Sequence, residues 1–301
     1  QKITFGRDTA YFMGDDGSTQ SGIIEIESNN YYFDPRIDNK MFFGVTVIEG
    51  EFYYFELNSG KMNTSGGWLT FGNSKYYAKD SGKLYHNQMI TFGNDLAYYL
   101  GNDAKILTGE HIIDRRYYCF ASDGKFMRMS ANIPYYNQRD PKWGNDIYGD
   151  YYFAGTGCVP TAAAMIYSFL LDSVLTPRDM GYWAYKEGYF NTSGFGTTDQ
   201  FLPAVSSFFN LPCQGNLNMF QAIDSLRHGK LLMASMNPPF FTSPGTTHGI
   251  VIYGIDENNM VSVYDPYYRE HNQKYSIEMI FNHLSTDPFD CKAGGPIFAI
   301  G

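Results

Sequence analysis

The sequence predicts two domains of different class: an all-β stack of repeated hairpins over residues 1–129, then an α+β domain over residues 130–301. Three observations carry this reading. Paired aromatic residues recur at a near-constant period through the first half. The recurrence stops at about Ser130. Beyond it, stretches with helical spacing alternate with short apolar strands. A chain of 301 residues is comfortable for two domains, and 44% hydrophobic residues supply enough material for real cores.

The repeat is carried by Tyr11-Phe12, Tyr31-Tyr32, Tyr53-Tyr54, Tyr76-Tyr77, Tyr98-Tyr99 and Tyr117-Tyr118, spaced 20, 22, 23, 22 and 19 residues apart. Ile3-Thr4-Phe5-Gly6, Leu69-Thr70-Phe71-Gly72 and Ile90-Thr91-Phe92-Gly93 form a second recurring element. Asp16-Gly17, Ser59-Gly60, Ser81-Gly82 and Asp123-Gly124 form a third. Each repeat predicts one β-hairpin: a first strand ending near Phe-Gly, an aromatic strand after it, and a turn at Asp-Gly or Ser-Gly. A lone hairpin is marginal in water, so such units are stable only when stacked. One tyrosine of each pair is expected to face the core, because side chains alternate along a strand.

These repeats resemble the cell-wall-binding repeats of Gram-positive surface proteins: choline-binding modules, glucan-binding modules and the repeats of large clostridial toxins. The resemblance spans Ile3 to Met127. It implies a surface polymer as partner. Choline-binding repeats open each unit with Gly-Trp, and here Gly67-Trp68 alone fits that pattern. A cage for a quaternary ammonium needs several aromatic faces, tryptophan best among them. A glycan or other wall polymer is therefore the expected ligand.

In the second half, Cys158–Leu171 predicts a buried helix. Thr176-Pro177 supplies an N-cap and a first-turn proline, opening a helix toward Gly188. Thr198–Asn210 predicts a third helix and Asn218–Gly229 a fourth, with Asn218 and Gln221 as a capping pair. Strands are expected at Leu231–Met236, His248–Ile255, Met260–Asp265 and Pro296–Ile300, the last at an edge or beginning at its proline.

The chemistry centres on Gly155-Thr156-Gly157-Cys158-Val159-Pro160-Thr161. A thiol at a helix start feels unpaired N–H groups and the positive end of the dipole, both favouring thiolate. The two glycines are expected to let a substrate backbone come close. A cysteine among small apolar residues is more often structural, so the thiol needs a partner to mean anything. His248 opens an apolar strand, and Asp256-Glu257-Asn258-Asn259 turns the chain back. With that turn centred between Asp256 and Glu257, His248 and Asp265 fall directly opposite each other. A carboxylate on one ring nitrogen leaves the other to take the thiol proton. Gln138, ahead of the helix, is a suitable oxyanion donor together with the Cys158 N–H. His228 precedes Gly229 at a helix end. His271 and His283 have no carboxylate placed by the pattern, and His86 and His111 lie in the repeats.

The order Gln138, Cys158, His248, Asp265 resembles the C39-like branch of the papain-like cysteine peptidases. The motifs that carry the resemblance are Asn-Gln-x-Asp-x-x-Trp, Gly-Cys-x-Pro-Thr-Ala, Thr-His-Gly-Ile-Val-Ile and Tyr-Asp-Pro, and it covers nearly all of residues 131–301. It implies a papain-like α+β fold, with Cys158 as nucleophile, His248 as base, Asp265 as orienting carboxylate and Gln138 in the oxyanion hole. In papain itself the glutamine lies much closer to the cysteine than the 20 residues that separate the pair here. The implied reaction is acylation of the thiol by a peptide carbonyl, then hydrolysis. Loops Asn191–Thr198 and Phe240–Thr247, rich in Gly, Ser and Thr, are expected to flank the cleft.

The remaining features bound partners and location. A net charge of −9 argues against nucleic acid. No run of about 18 apolar residues is present, so the chain is expected not to span a membrane. Gln1-Lys2-Ile3 is not expected to open a signal peptide. Cys119, Cys158, Cys213 and Cys291 lack zinc spacing, no cofactor motif is seen, and a single disulfide stays open. The whole predicts a secreted, extracellular or wall-associated peptidase acting on a peptide or a peptidoglycan peptide. Two alternatives remain: a surface-binding protein without catalysis, and a wall-lytic amidase using the same thiol chemistry.

Overall fold

The structure is a computed structural model that describes residues 1–5, 9–93, 96–191, 196–198 and 200–301, without the side chains of Lys2, Phe5 and Asn191. Gly6 of the first Phe-Gly element, residues 192–195 of the expected Asn191–Thr198 loop and Asp199 of the expected third helix lie outside the described residues. The chain forms two compact units, Gln1–Ile90 with Tyr98–Leu107, and Thr91–Ala97 with Thr108–Gly301.

The repeats are β-hairpins. Gly22–Ile26 pairs with Asn29–Asp34, Gly44–Ile48 with Glu51–Phe55, and Gly67–Phe71 with Ser74–Ala78, all antiparallel. Lys2–Phe5 pairs likewise with Thr9–Met13, and Gln88–Phe92 with Leu96–Leu100. The turn assignment from sequence holds at Asp16-Gly17 and Asp123-Gly124, which reverse the chain between paired strands after the aromatic pair, and needs correction in the repeats between them. The tight reversal precedes the aromatic strand, at Glu27-Ser28, at Glu49-Gly50 and at Gly72-Asn73. In the first two, both residues have positive φ (51° and 63°, 52° and 82°). That primed geometry matches the right-handed twist of the strands. Ser59-Gly60 and Ser81-Gly82 instead end the aromatic strand and return the chain for a single bridge, Phe55 to Met62 and Ala78 to Leu84. These glycines have φ of 72° and 83°, and a Cβ on them would stand 2.8 Å and 2.5 Å from the sulfurs of Met41 and Met62. The left-handed backbone demands glycine at both positions, and a Cβ would also push aside these Met side chains.

The aromatic pairs build the small cores of this unit. Tyr76 and Tyr99 are buried while Tyr77 and Tyr98 are half-buried. In the pair Tyr31-Tyr32 both rings are buried, because the two faces of the strand serve different clusters. Tyr31 packs with Ala10, Phe33 and Met41; Tyr32 packs with Phe55 and Met62.

The second unit is α+β. Its nine-stranded sheet runs 109–113, 116–120, 126–131, 248–256, 231–236, 297–300, 213–214; strand 260–264 pairs with 248–256, and 274–276 with 260–264. The hairpin bearing Tyr117-Tyr118 belongs to this sheet by its pairing. The strand His248–Asp256 is the organiser. It pairs with Leu231–Met236 through residues 248–252 and with Phe126–Ala131 through 254–256. Gly254 faces Ser130 and Ser262 at once, and a Cβ there would come within 2.8 Å of the Met129 carbonyl oxygen.

The helices are Cys158–Leu170, Pro177–Lys186, Phe201–Phe208, Met219–Arg227 and Ile277–Asn282, after one turn at Phe153–Thr156. Thr176 with Asp179, and Asn218 with Gln221, form complete capping boxes. The third helix is shorter than the expected span. Strand Ile297–Ile300 begins after Pro296 and is interior, flanked by 231–236 and 213–214; the proline stands outside the ladder it could not join. The helix of Cys158 is buried from Val159 to Phe169, with Ala162, Ala163 and Ala164 fully inaccessible. Small side chains let this helix lie close on the sheet, against Met233 and Val251. No helix among the described residues is long and apolar enough to cross a membrane.

Candidate active site

Cys158 is the first residue of its helix, and Gly157 is the N-cap. The Cys158 N–H therefore has no intrahelical carbonyl to bond and points out of the helix start. The geometry revises one expectation about the glycines. A Cβ on Gly157 would stand 2.6 Å from the ring of fully buried Phe153, so this glycine makes room for Phe153 and not for substrate. Gly155 has open space where its Cβ would be. It lines a cleft of about 370 Å³ together with Thr156, Cys158, Asn237, Thr247 and Asp287. Gly245 and Thr246 of the expected Phe240–Thr247 loop, and Gly196 of the other loop, line it too.

His248 lies at the start of its strand and is 7% exposed. Its Nε2 donates to Asp265 Oδ1 at 2.7 Å. The other nitrogen, Nδ1, is left for the thiol. Burial alone would lower the pKa of His248. The hydrogen bond to Asp265 comes next in weight, followed by the hydrogen bond and charge of Cys158; together they push it up to about 9.

Asp265 is completely buried. Its Oδ1 also accepts the backbone N–H groups of Tyr267 at 2.7 Å and Tyr268 at 2.9 Å. Burial would raise this carboxyl. The His248 hydrogen bond and charge, then the two N–H donors, hold it below the usual carboxylate range. The pair thus favours a carboxylate beside an imidazolium.

The structure brings these two residues together by a register other than the predicted one. Val251 faces Tyr264 and Ile252 faces Val263, so His248 and Asp265 are diagonal and not directly opposite. Two features shift the register. The reversal runs through Asn259 at φ 58°, with Asp256 Oδ1 accepting from Asn258 and Met260, and a bulge falls between Ile252 and Gly254. The net offset near the site is even, so both side chains keep the expected face. Asp265 itself lies just past the strand Met260–Tyr264.

Gln138 is 1% exposed. Its Nε2 donates to Ala154 O at 2.9 Å, and its backbone N–H donates to Pro266 O at 2.8 Å. It therefore ties the turn before Cys158 to the residue after Asp265. One N–H of the amide remains beyond the Ala154 bond, and Oε1 is buried without a partner. Neighbouring contacts brace the segment: Tyr135 donates to Asp265 O at 3.0 Å, and Asn137 Nδ2 donates to Tyr267 O at 3.1 Å.

Two further residues, not singled out by the sequence pattern, hold Asp265. His271 Nδ1 bonds Asp265 Oδ2 at 2.8 Å, and Asn272 Oδ1 accepts the Asp265 N–H at 2.7 Å. Six and seven residues past Asp265, they gave no strand or helix period to read. His228 does lie at its helix end, with Nδ1 at 2.8 Å from Asp224 O. No disulfide joins the four cysteines, and burial pushes the Cys213 thiol up.

The Cys158 thiol at its helix start is thus hydrogen-bonded to His248, which Asp265 holds from the next strand's end. The chain belongs to the Peptidase_C39 like family, whose sequence model matches residues 130–286. No curated protein matches the chain. Among solved structures it is similar to CbpJ from Streptococcus pneumoniae TIGR4, with 25% identity over 42% of this chain and 41% of that one and a TM-score of 0.34. It is also similar to choline binding protein F of the same species (25% identity, 41% and 40% covered, TM-score 0.33). A third is the autolysin LytC, again from that species (20% identity, 44% and 33% covered, TM-score 0.27). The chain thus spans less than half the length of each.

Proposed function

We propose that the chain is a wall- or surface-targeted cysteine peptidase acting at or outside the cell, with residues 130–301 hydrolysing peptide bonds and residues 1–129 holding a wall glycan or polymer. The observation that carries the reading is His248 shared between Asp265 Oδ1 at 2.7 Å and the Cys158 thiol. In this mechanism the Cys158 thiolate attacks a peptide carbonyl carbon lying in the cleft. The Cys158 N–H and the second amide N–H of Gln138 receive the oxyanion. His248 gives its proton to the leaving amine, then draws one from water to hydrolyse the thioester. Asp265 keeps Nδ1 directed at sulfur throughout.

For the repeats, support comes from Trp68, which is 43% exposed and stands edge-on to Tyr77 at 5.0 Å and Tyr98 at 4.8 Å. Exposed rings of this kind suit a sugar face or another wall group, and tethering raises the local concentration of nearby peptide bonds. The test is digestion of purified walls and surface proteins, with identification of the new termini. New peptide amines would support the peptidase. A released sugar–lactate terminus would make it an amidase. Intact substrate with native protein, alongside an unreactive Cys158, would leave a binding protein.

A further inference from the structure

We infer that His271 is a positioning residue for this site, holding the second oxygen of Asp265 so that the first stays on His248; the inference rests on the peptidase reading above. The Asp265 carboxylate accepts four hydrogen bonds, unevenly shared. Oδ1 takes His248 Nε2 and the N–H groups of Tyr267 and Tyr268, whereas Oδ2 takes His271 Nδ1 at 2.8 Å. Rotation about Cβ–Cγ moves both oxygens together, so a donor on Oδ2 tightens the orientation that the donors on Oδ1 begin. His271 supplies that second hold.

The ring that does this is itself fixed. Phe241, fully buried and in the loop ahead of His248, meets it edge-on at 5.7 Å, and Tyr268 packs on it at 5.0 Å. Its backbone N–H donates to Tyr268 O at 3.0 Å, and its carbonyl accepts from Tyr275 Oη at 3.2 Å. Next to it, Asn272 holds the Asp265 main chain. One short segment therefore pins both ends of the carboxylate residue. For the bond to form, Nδ1 must carry the proton. The side chain is 25% exposed, so packing is not its whole role.

The test compares His271→Phe with His271→Asn in the full chain. Phenylalanine keeps a ring against Phe241 and Tyr268 but has no donor. Asparagine loses the ring, yet its Nδ2 sits where Nδ1 does, one bond from Cγ. Cys158 alkylation by iodoacetamide at about pH 6 should fall about tenfold or more in His271→Phe, the size of losing a hydrogen bond to a charged group. It should recover most of that loss in His271→Asn. Equal rates for native and His271→Phe, or no recovery in His271→Asn, would overturn the inference. Nitrogen-15 spectra of the histidine rings in native protein give a readout free of folding effects: Nδ1 of His271 should be protonated, and an unprotonated Nδ1 would overturn the inference as well. Failure of the peptidase reading shows differently, as native Cys158 alkylated no faster than Cys291.

Discussion

His248 and Asp265 meet on the diagonal of a β-hairpin: the strands pair Val251 with Tyr264, yet Nε2 and Oδ1 lie 2.7 Å apart. The contact forms because Asp265 has left the strand and is turned by the N–H groups of Tyr267 and Tyr268. The His248–Asp265 contact depends on that turn more than on the ladder.

The first prediction concerns the pair itself. His248→Ala and Asp265→Asn should each lower Cys158 alkylation at about pH 6 by roughly 100-fold, since the thiolate loses its counter-ion or the ring loses its orientation. Peptide mapping after labelling reads the effect. Cys213, whose thiol is pushed up by burial, serves as an internal unreactive site. Unchanged Cys158 labelling in both variants would sink the Cys–His–Asp reading.

The pH dependence follows from the same pair. The folded pKa of His248, about 9, lies above its ordinary value of 6.5. Its contribution to stability is therefore fully present below pH 6.5 and is lost as pH rises through about 9. It is worth at most on the order of 3 kcal/mol. Asp265 has the opposite sign: its folded pKa lies below 3.8, so its contribution is present above that value and is lost as pH falls through the lowered one. Urea unfolding should show a decline in stability between pH 6.5 and 9 that His248→Ala lacks. Turnover should fall on the alkaline side near pH 9, where the imidazolium that protonates the leaving amine disappears.

Gly157 and Gly155 should respond oppositely. Gly157→Ala places a methyl 2.6 Å from the Phe153 ring and should destabilise by about 1–3 kcal/mol, with loss of Cys158 reactivity. Gly155→Ala meets open space and should leave the unfolding midpoint unchanged. Denaturant titration of the two variants separates packing from cleft effects.

Gln138→Ala should reduce kcat by roughly 10²–10³ with little change in KM, the signature of an oxyanion donor. A rise in KM at constant kcat would assign Gln138 to binding or to bracing the Ala154 turn instead.

The repeats should be separable from the chemistry. Trp68→Ala removes the exposed ring beside Tyr77 and Tyr98 and should lower retention on purified walls about fivefold. Cys158 alkylation should be unaffected. Sedimentation with walls measures the first and peptide mapping the second.

Much of the molecule could be read directly from the sequence because it is local. Paired tyrosines at a fixed period identify hairpins, and Thr176 with Asp179 or Asn218 with Gln221 identify helix starts, since each signal lies within a few residues. The helix-start Cys158 and the strand-start His248 were visible for the same reason. Tertiary structure decided what local pattern cannot. The hairpin register depended on a bulge and a left-handed Asn259. The purpose of Gly157 depended on where the Phe153 ring went. His271 found Asp265 through an irregular turn with no period to betray it. Sequence periodicity reports which face a side chain takes; the partner it meets there is fixed by the packing of segments far apart in the chain.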